Sequence, residues 1–203
     1  RYLLRFPLWG DECMLAENII VRTPAGLWEP LDNGQVAPVG YTEALWAVTR
    51  LCGFNEWSLR FIALAAGIVG VVAMRPFALR LLAPLPALLS LTLLSISYYP
   101  VRHAAEVKPY ALDLAWSVVL LLLADAWRRD PARYRSFLFL LFLTPLAQFT
   151  SFTATFVAGG LCIGLTFQAL LRRSWSQFLA AALYGIVLTA AFAAIYLSMA
   201  TSQ

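Results

Sequence analysis

Six long apolar segments constrain the fold of this chain more than any other feature of its sequence. A helix needs about 20 mostly apolar residues to cross the hydrocarbon core of a bilayer. Hydrophobic residues make up 61% of the 203 residues and charged residues 13%, about half the charged share of a soluble domain. We therefore expect an all-α, polytopic integral membrane protein with about six transmembrane helices. The predicted spans are residues 59–74, 81–98, 110–127, 137–149, 152–171 and 178–199.

The rest of the sequence divides around these segments into three parts of a single membrane domain. Residues 1–9 are apolar but too short to cross a bilayer, and we interpret them as the remnant of a first transmembrane helix. Residues 10–57 form a long, more polar loop that contains two adjacent acids near its start. Residues 58–203 form the predicted helical bundle.

The long loop is predicted to be structured. Apolar residues at helical spacing predict short helices over residues 13–21 and 41–51, and a Pro- and Gly-containing turn separates them at residues 30–34. Amphipathic helices next to a membrane commonly lie in the plane of its surface. We therefore expect a long first extracytoplasmic loop carrying two interfacial helices.

Basic residues are concentrated in alternate connections between the predicted spans. Connections rich in Arg lie on the cytoplasmic side of most membrane proteins, which places the loop 10–57 and the segment 99–108 on the outer side. Asp125 and Asp130 lie in or beside the connection that contains Arg128 and Arg129, and we interpret the two acids as balancing its positive charge. The arginines are Arg75, Arg80, Arg128, Arg129, Arg133, Arg135, Arg172 and Arg173. The acids of the outer segments are Asp11, Glu12, Glu17, Glu29, Asp32, Glu43, Glu56 and Glu106.

The two adjacent carboxylates, Asp11 and Glu12, are the leading candidates for chemistry. A carboxylate close to hydrocarbon is costly unless water, a cation or a reacting group meets it there. The second outer segment offers polar groups of complementary charge. We expect both segments to meet across one lipid-accessible cleft. The candidate ligand-binding residues are Gln35 in the first segment and Arg102, His103, Glu106, Lys108 and Tyr110 in the second.

Acids opposite cations at a membrane surface suit the transfer of a sugar from a lipid phosphate. One carboxylate would take the proton of an acceptor hydroxyl as that hydroxyl attacks the anomeric carbon. The departing lipid phosphate is already an anion, so Arg102 and Lys108 would stabilise it. A divalent metal ion is a further option, with Asp11, Glu12 and Glu106 as its ligands.

Three ordered stretches resemble the GT-C superfamily of membrane glycosyltransferases: LWGDE at residues 8–12, LDNGQVAP at 31–38 and YYPVRHAAEVKPY at 98–110. The likeness is closest to the bacterial branch related to protein O-mannosyltransferases and the lipid A aminoarabinose transferase, and it runs from about residue 7 to about residue 128. It implies an inverting enzyme that takes its sugar from a polyprenyl phosphate, on the periplasmic face of a bacterial inner membrane.

The resemblance also implies roles for individual residues. Asp11 would be the catalytic base and Glu12 its partner, with Glu106 and Lys108 contributing from the second outer segment. The role of Arg102 in binding phosphate is inferred from its charge and its fork of donors, not from the resemblance. Members of this family usually run to several hundred residues, with a full first span and more helices after this point, so we expect this chain to be truncated at both ends.

Simpler interpretations apply to the same residues. Asp11 and Glu12 suit the first turn of a helix, where acids are favoured in any protein. Arg102 and Glu106, four residues apart, can form a surface ion pair of small energetic value. Three side chains can serve as interfacial anchors or hydrogen-bonding groups: His103, Lys108 and Tyr110.

A competing functional hypothesis is a shortened, catalytically inactive accessory subunit of a larger membrane complex. Such a subunit would bind lipid and other membrane subunits without doing chemistry. A transporter is less favoured because the sequence has neither a repeat nor broken helices in matching halves. For the transferase we expect a polyprenyl-phosphate sugar and membrane lipids as partners, and no nucleic acid.

Overall fold

The computed structural model describes residues 2–4, 6–132 and 134–201, and all regular secondary structure in these ranges is helical. Short 3-10 turns occur at Tyr2–Leu4, Ala25–Trp28 and Asp32–Gly34. The α-helices of the described ranges are α1 (Gly10–Val21), α2 (Val39–Cys52), α3 (Glu56–Leu81), α4 (Pro84–Ile96), α5 (Tyr98–His103), α6 (Tyr110–Arg129), α7 (Tyr134–Thr150), α8 (Phe152–Leu171) and α9 (Trp175–Thr201).

Four of these helices, α3, α6, α8 and α9, are long and apolar enough to cross a membrane. This confirms the all-helical class and, by length and composition, four of the six predicted segments as candidate membrane spans. The two others correspond to α4, with 13 residues, and α7, with 17 residues. A 13-residue helix is about 20 Å long, shorter than the roughly 30 Å hydrocarbon core. The arrangement of six spans therefore stays a prediction.

Prolines explain why α4 is shorter than the segment predicted from hydropathy. The predicted span began at residue 81, whereas α3 continues through Pro76 and ends at Leu81. The next helix begins at Pro84, where the fixed φ of proline suits the first turn and its missing N–H leaves no hydrogen bond unmade. The hydropathy pattern does not show this boundary, so the predicted span included the end of α3 together with α4.

The polar loop is a folded layer rather than a slack connection. Helices α1 and α2 occupy the two stretches predicted to be helical, and they share a core with the start of α3 and with the segment before α6. The position of this layer relative to a bilayer stays a prediction. Buried members of this core include Leu15, Ile19, Tyr41, Leu45, Leu59 and Val107.

Two further cores hold the bundle together. Helices α3 and α6 meet through buried alanines, which let helix backbones approach closely: Ala63, Ala66, Ala111 and Ala115. Helices α6 to α9 enclose a larger core that includes Leu120, Trp127, Phe137, Leu140, Ala154 and Tyr184. The bundle therefore presents α3 and α6 side by side beneath the folded loop.

The arginine-rich ends of α3, α6 and α8 meet at one end of the bundle. Arg129 Nη2 donates to the backbone oxygen of Arg80 at 2.9 Å, and Arg172 Nη1 donates to the backbone oxygen of Arg128 at 3.2 Å. Arg133, also counted in this basic group, lies outside the described residues. The alternation of basic connections along the sequence therefore identified helix ends that lie together in the structure. The side of the membrane that these helix ends face stays a prediction.

Candidate functional site

The two adjacent acids of the loop 10–57 have opposite environments. Glu12 is buried, with 2% of its surface exposed, whereas the Asp11 side chain is 75% exposed. Both lie in the first turn of α1, which begins at Gly10 and has Trp9 as its N-cap. Successive residues of an α-helix point about 100° apart, so this turn directs one carboxylate into the protein and the other into solvent.

Glu12 joins three segments of the chain. Its carboxylate accepts from the backbone N–H of Trp9 at 3.0 Å, which closes the first turn of α1. It also accepts from the backbone N–H of Val107 at 2.7 Å and forms an ion pair with Arg60 Nη2 at 2.9 Å. Carboxylate hydrogen bonds of this kind, to backbone N–H groups and a guanidinium, are the strong ones in proteins.

Arg60 is the residue that our sequence interpretation missed. It lies in the first turns of α3, its side chain is 5% exposed, and it donates to the backbone oxygen of Phe6 at 2.8 Å. A sequence signal existed, because an ionisable residue inside a predicted span usually faces the protein interior and has a partner. The sequence did not identify Glu12 as that partner.

Asp11, Gln35 and Lys108 form what we call the outer cleft. Lys108 Nζ lies 4.0 Å from Asp11 Oδ2 and donates to Gln35 Oε1 at 3.0 Å. These three residues come from α1, from the stretch after the Asp32–Gly34 turn, and from the segment before α6. The structure thus brings together the two outer segments, as the sequence predicted.

A buried amide places Gln35 in the outer cleft. Asn18, on the inner face of α1, accepts from the backbone N–H of Asp32 at 2.8 Å through Oδ1, and its own NH2 group donates to the backbone oxygen of Met14 at 2.8 Å. The carboxylate of Asp32 pairs with Arg22 at 3.0 Å. Asn33 and Gly34 adopt positive φ in this turn, a conformation that suits Asn and Gly.

Glu106 binds its own neighbours rather than the outer cleft. It is buried, it forms an ion pair with Arg102, and its Oε2 lies 3.0 Å from His103 Nδ1. Burial alone would raise the pKa of Glu106, but the contacts with Arg102 and His103 outweigh it and hold the pKa below its usual range. The Arg102 guanidinium also lies 5.3 Å from the centre of the Trp9 ring. The predicted Arg102–Glu106 pair is therefore present, with Arg102 beside the start of α1.

An apolar cavity of about 560 Å³ opens beside these residues, between α3, α4, α5 and the start of α6. Its volume is within the range typical of ligand sites. His103 and Tyr110 lie on its wall, and their rings pack edge to face at 4.7 Å. Other lining residues are Gly67, Ile68, Leu94 and Tyr99.

A close helix approach shapes this cavity. A Cβ atom on Gly67 of α3 would lie 2.7 Å from Ala104 Cβ, closer than real Cβ contacts allow. Glycine at this position therefore lets the segment after α5 rest directly on α3. The approach sets the segment that carries Glu106 and Lys108 against the membrane helices.

The three carboxylates considered as metal ligands do not form one site. Glu12 is committed to Arg60 and backbone N–H groups, and Glu106 to Arg102 and His103. Across the part of the chain that the structure describes, no group of three His, Cys, Asp or Glu side chains lies close enough together to hold a metal ion. The arrangement does not fit a divalent ion bound by Asp11, Glu12 and Glu106.

Comparisons with protein-family models, with curated proteins and with solved structures each find no match to this chain. Support for a function therefore comes from the residues and geometry of the outer cleft and the cavity beside it.

Proposed function

We propose that this chain is a GT-C-like inverting glycosyltransferase that moves a sugar from a polyprenyl phosphate to an acceptor on the outer face of a bacterial inner membrane. The observation that carries the proposal is the pairing in the outer cleft. An exposed carboxylate, Asp11, lies beside an ammonium group, Lys108, at 4.0 Å, and an apolar cavity borders the same segment.

Asp11 is the candidate base because its carboxylate is accessible. It takes the proton of the acceptor hydroxyl as the acceptor oxygen forms a bond to the anomeric carbon. The bond between that carbon and the phosphate oxygen breaks on the opposite side, and its electron pair stays on the lipid phosphate. Attack opposite the leaving group inverts the anomeric carbon.

Lys108 is the better candidate for stabilising the leaving phosphate. Its ammonium group is held by Gln35 and faces Asp11, and a point charge of this kind suits a phosphate. Arg102 is already paired with Glu106 and lies near the Trp9 ring. We therefore assign Lys108 to the phosphate and Arg102 to the support of the second outer segment.

The cavity supports a polyprenyl chain as the lipid part of the donor. Its wall consists mostly of aliphatic and aromatic side chains from α3, α4, α5 and α6, with Ser95 and His103 as polar members, and an isoprenoid chain has no polar group that would need a partner there. Tyr99, His103 and Tyr110 lie on the same wall and would border the phosphate end of the bound lipid.

A transfer assay with the full chain in host membranes tests this function. Radiolabelled polyprenyl-phosphate mannose and polyprenyl-phosphate aminoarabinose serve as donors, and transfer to membrane proteins and lipids is measured. Asp11→Asn is expected to lower transfer by about 100-fold or more, the usual range for a lost general base. Glu29→Gln, another exposed acid of the same loop, is the matched control and should transfer normally.

Transfer by Asp11→Asn at the rate of the unaltered chain would remove Asp11 from its proposed role. The accessory-subunit hypothesis makes a different prediction. It requires that the chain bind a photoreactive polyprenyl phosphate in its cavity, transfer neither sugar above the level of host membranes, and co-purify in fixed stoichiometry with a larger complex.

A further inference from the structure

We propose that Arg60 and Glu12, through their ion pair, are positioning residues for the outer cleft. Glu12 directly follows Asp11 in the sequence, and Val107, whose N–H Glu12 accepts, directly precedes Lys108. One buried carboxylate therefore fixes the backbone beside both charged groups of the cleft. Arg60 holds that carboxylate from α3.

The contacts of the Arg60–Glu12 pair fix the direction of both side chains. Arg60 Nε and Nη2 lie 3.4 and 2.9 Å from the two oxygens of Glu12, a bidentate arrangement that fixes direction as well as distance. The remaining capacity of Arg60 is used by backbone oxygens of the segment before α1: Nη1 donates to Phe6 and Nη2 also reaches Pro7. A buried pair adds little net stability relative to well-packed apolar side chains, so we assign this pair the role of specifying one arrangement.

The pair also explains why Glu12 is buried while the adjacent Asp11 is exposed. Because Glu12 is turned inward by Arg60 and by the N–H of Val107, Asp11 is left on the outer side of the same helical turn. A shift of about 1 Å between catalytic groups can lower a rate by two orders of magnitude. Loss of the pair would allow α1 and the Val107–Lys108 backbone to move independently.

A zero-length cross-link tests the positioning directly, without any assumption about activity. A water-soluble carbodiimide joins a carboxylate to an amine in contact with it, so the Asp11–Lys108 pair should yield an amide that mass spectrometry detects in the full chain. Glu12→Gln and Arg60→Met should each lower this yield by about tenfold or more, because each variant breaks the ion pair that orients the side chain of residue 12 towards Val107. Asp125→Asn, which alters an ion pair at the other end of the bundle, should leave the yield unchanged.

The variants are compared only as folded protein, judged by size exclusion and by the circular dichroism of the helices. Glu12→Gln keeps the size of the side chain, so it serves if Arg60→Met fails to fold. An unchanged cross-link yield in folded Glu12→Gln would overturn the proposal. Arg60→Lys, which keeps the charge but loses the fork, should give an intermediate yield.

The catalytic consequence rests on the proposed function and is measured separately. In the transfer assay, Glu12→Gln should lower kcat while leaving KM for the lipid donor nearly unchanged, because the cavity is intact. A loss of the cross-link in a chain that transfers no sugar would support the positioning role and count against the transferase. A normal kcat together with a normal cross-link in the same variant would exclude positioning by this pair.

Discussion

The ion pairs at the two ends of the bundle differ in what they connect. At the end that carries the outer cleft, which we call the outer end, Glu12 pairs with Arg60, 48 residues away, and accepts from the backbone N–H of Val107, 95 residues away. At the other end, Asp125 pairs with Arg128 and Arg129, three and four residues along the same helix. The outer carboxylate joins distant segments, whereas Asp125 neutralises charge within one turn of α6.

Exposure differs in the same way. Both partners of the outer pair are almost fully buried, at 5% and 3% of side-chain surface. Asp125 is also buried, with 8% of its side-chain surface exposed, but the arginines that bind it are 43% and 48% exposed, so water solvates them whether or not the acid is present. The buried Glu12–Arg60 pair thus joins distant parts of the fold, whereas the Asp125 pairs balance charge within one helix.

The largest expected effect follows from removing one partner of the buried pair. Arg60→Met leaves the Glu12 carboxylate buried without its cation, and such a loss typically costs about 3–5 kcal/mol. Asp125→Asn should cost no more than about 1 kcal/mol, because its arginines are half exposed. Denaturant unfolding of both variants in the same detergent, followed by helical circular dichroism, measures the free energies of unfolding.

Equal losses of stability in these two variants would contradict the distinction between the ends. The double variant Arg60→Met with Glu12→Leu sharpens the comparison. It removes both buried charges, so part of the stability lost in the single variant should return, while the cross-link between Asp11 and Lys108 should not.

A smaller loss of stability is expected from replacing Asn18, a neutral side chain that holds the turn at Asp32. Asn18→Ala removes the acceptor for the backbone N–H of Asp32 and should cost about 1–3 kcal/mol, the penalty for a buried polar group left unpaired. Hydrogen exchange of the Asp32 amide should become faster. Glu17→Gln is the matched control, because Glu17 contacts the exposed side of the same turn through Asn33 at 3.1 Å. Unchanged exchange in Asn18→Ala would show that another contact holds the turn.

Much of the helical framework could be predicted from the sequence. Helices α1 and α2 and the four long spans follow from apolar periodicity and length, which depend on residues close together in the chain. The short α4 did not follow, because hydropathy ignores the helix boundary that Pro84 sets. The gathering of Arg80, Arg129 and Arg172 at one end followed from the alternation of charge between spans.

The sequence predicted which residues belong to the candidate site better than it predicted which residues they contact. Asp11, Gln35 and Lys108 were identified from their residue types and from ordered motifs, and the structure brings them together. Which of the two adjacent acids is buried depends on the rotation of α1 against Arg60 and Val107. Those partners are far away in the sequence, so no local pattern reveals them.

The smallest expected effect is a pH dependence in the second outer segment, where Glu106 pairs with Arg102 and His103. The pKa of Glu106 is lowered in the folded protein from its ordinary value of 4.5, so the folded state favours the carboxylate. The resulting stability is fully present above about pH 4.5 and is lost as the pH falls through the lower folded value. We expect a loss of no more than about 1 kcal/mol, because Arg102 and His103 are 28% and 30% exposed and water screens the pair.

Glu106→Gln isolates the pH-dependent stability that the Glu106 carboxylate contributes, since this change removes the titrating group and keeps the shape of the side chain. Unfolding free energies of both proteins are measured from pH 7 downwards, and their difference is followed, so that the titration of all other acids cancels. The difference should shrink below about pH 4.5 as Glu106 is protonated. A difference that stays constant, or grows with acid, would mean that Arg102 and His103 do not favour the charged form of Glu106. The second outer segment would then be held by packing, such as the contact of Ala104 with Gly67, and the role of charge at the outer end would be confined to Glu12 and Arg60.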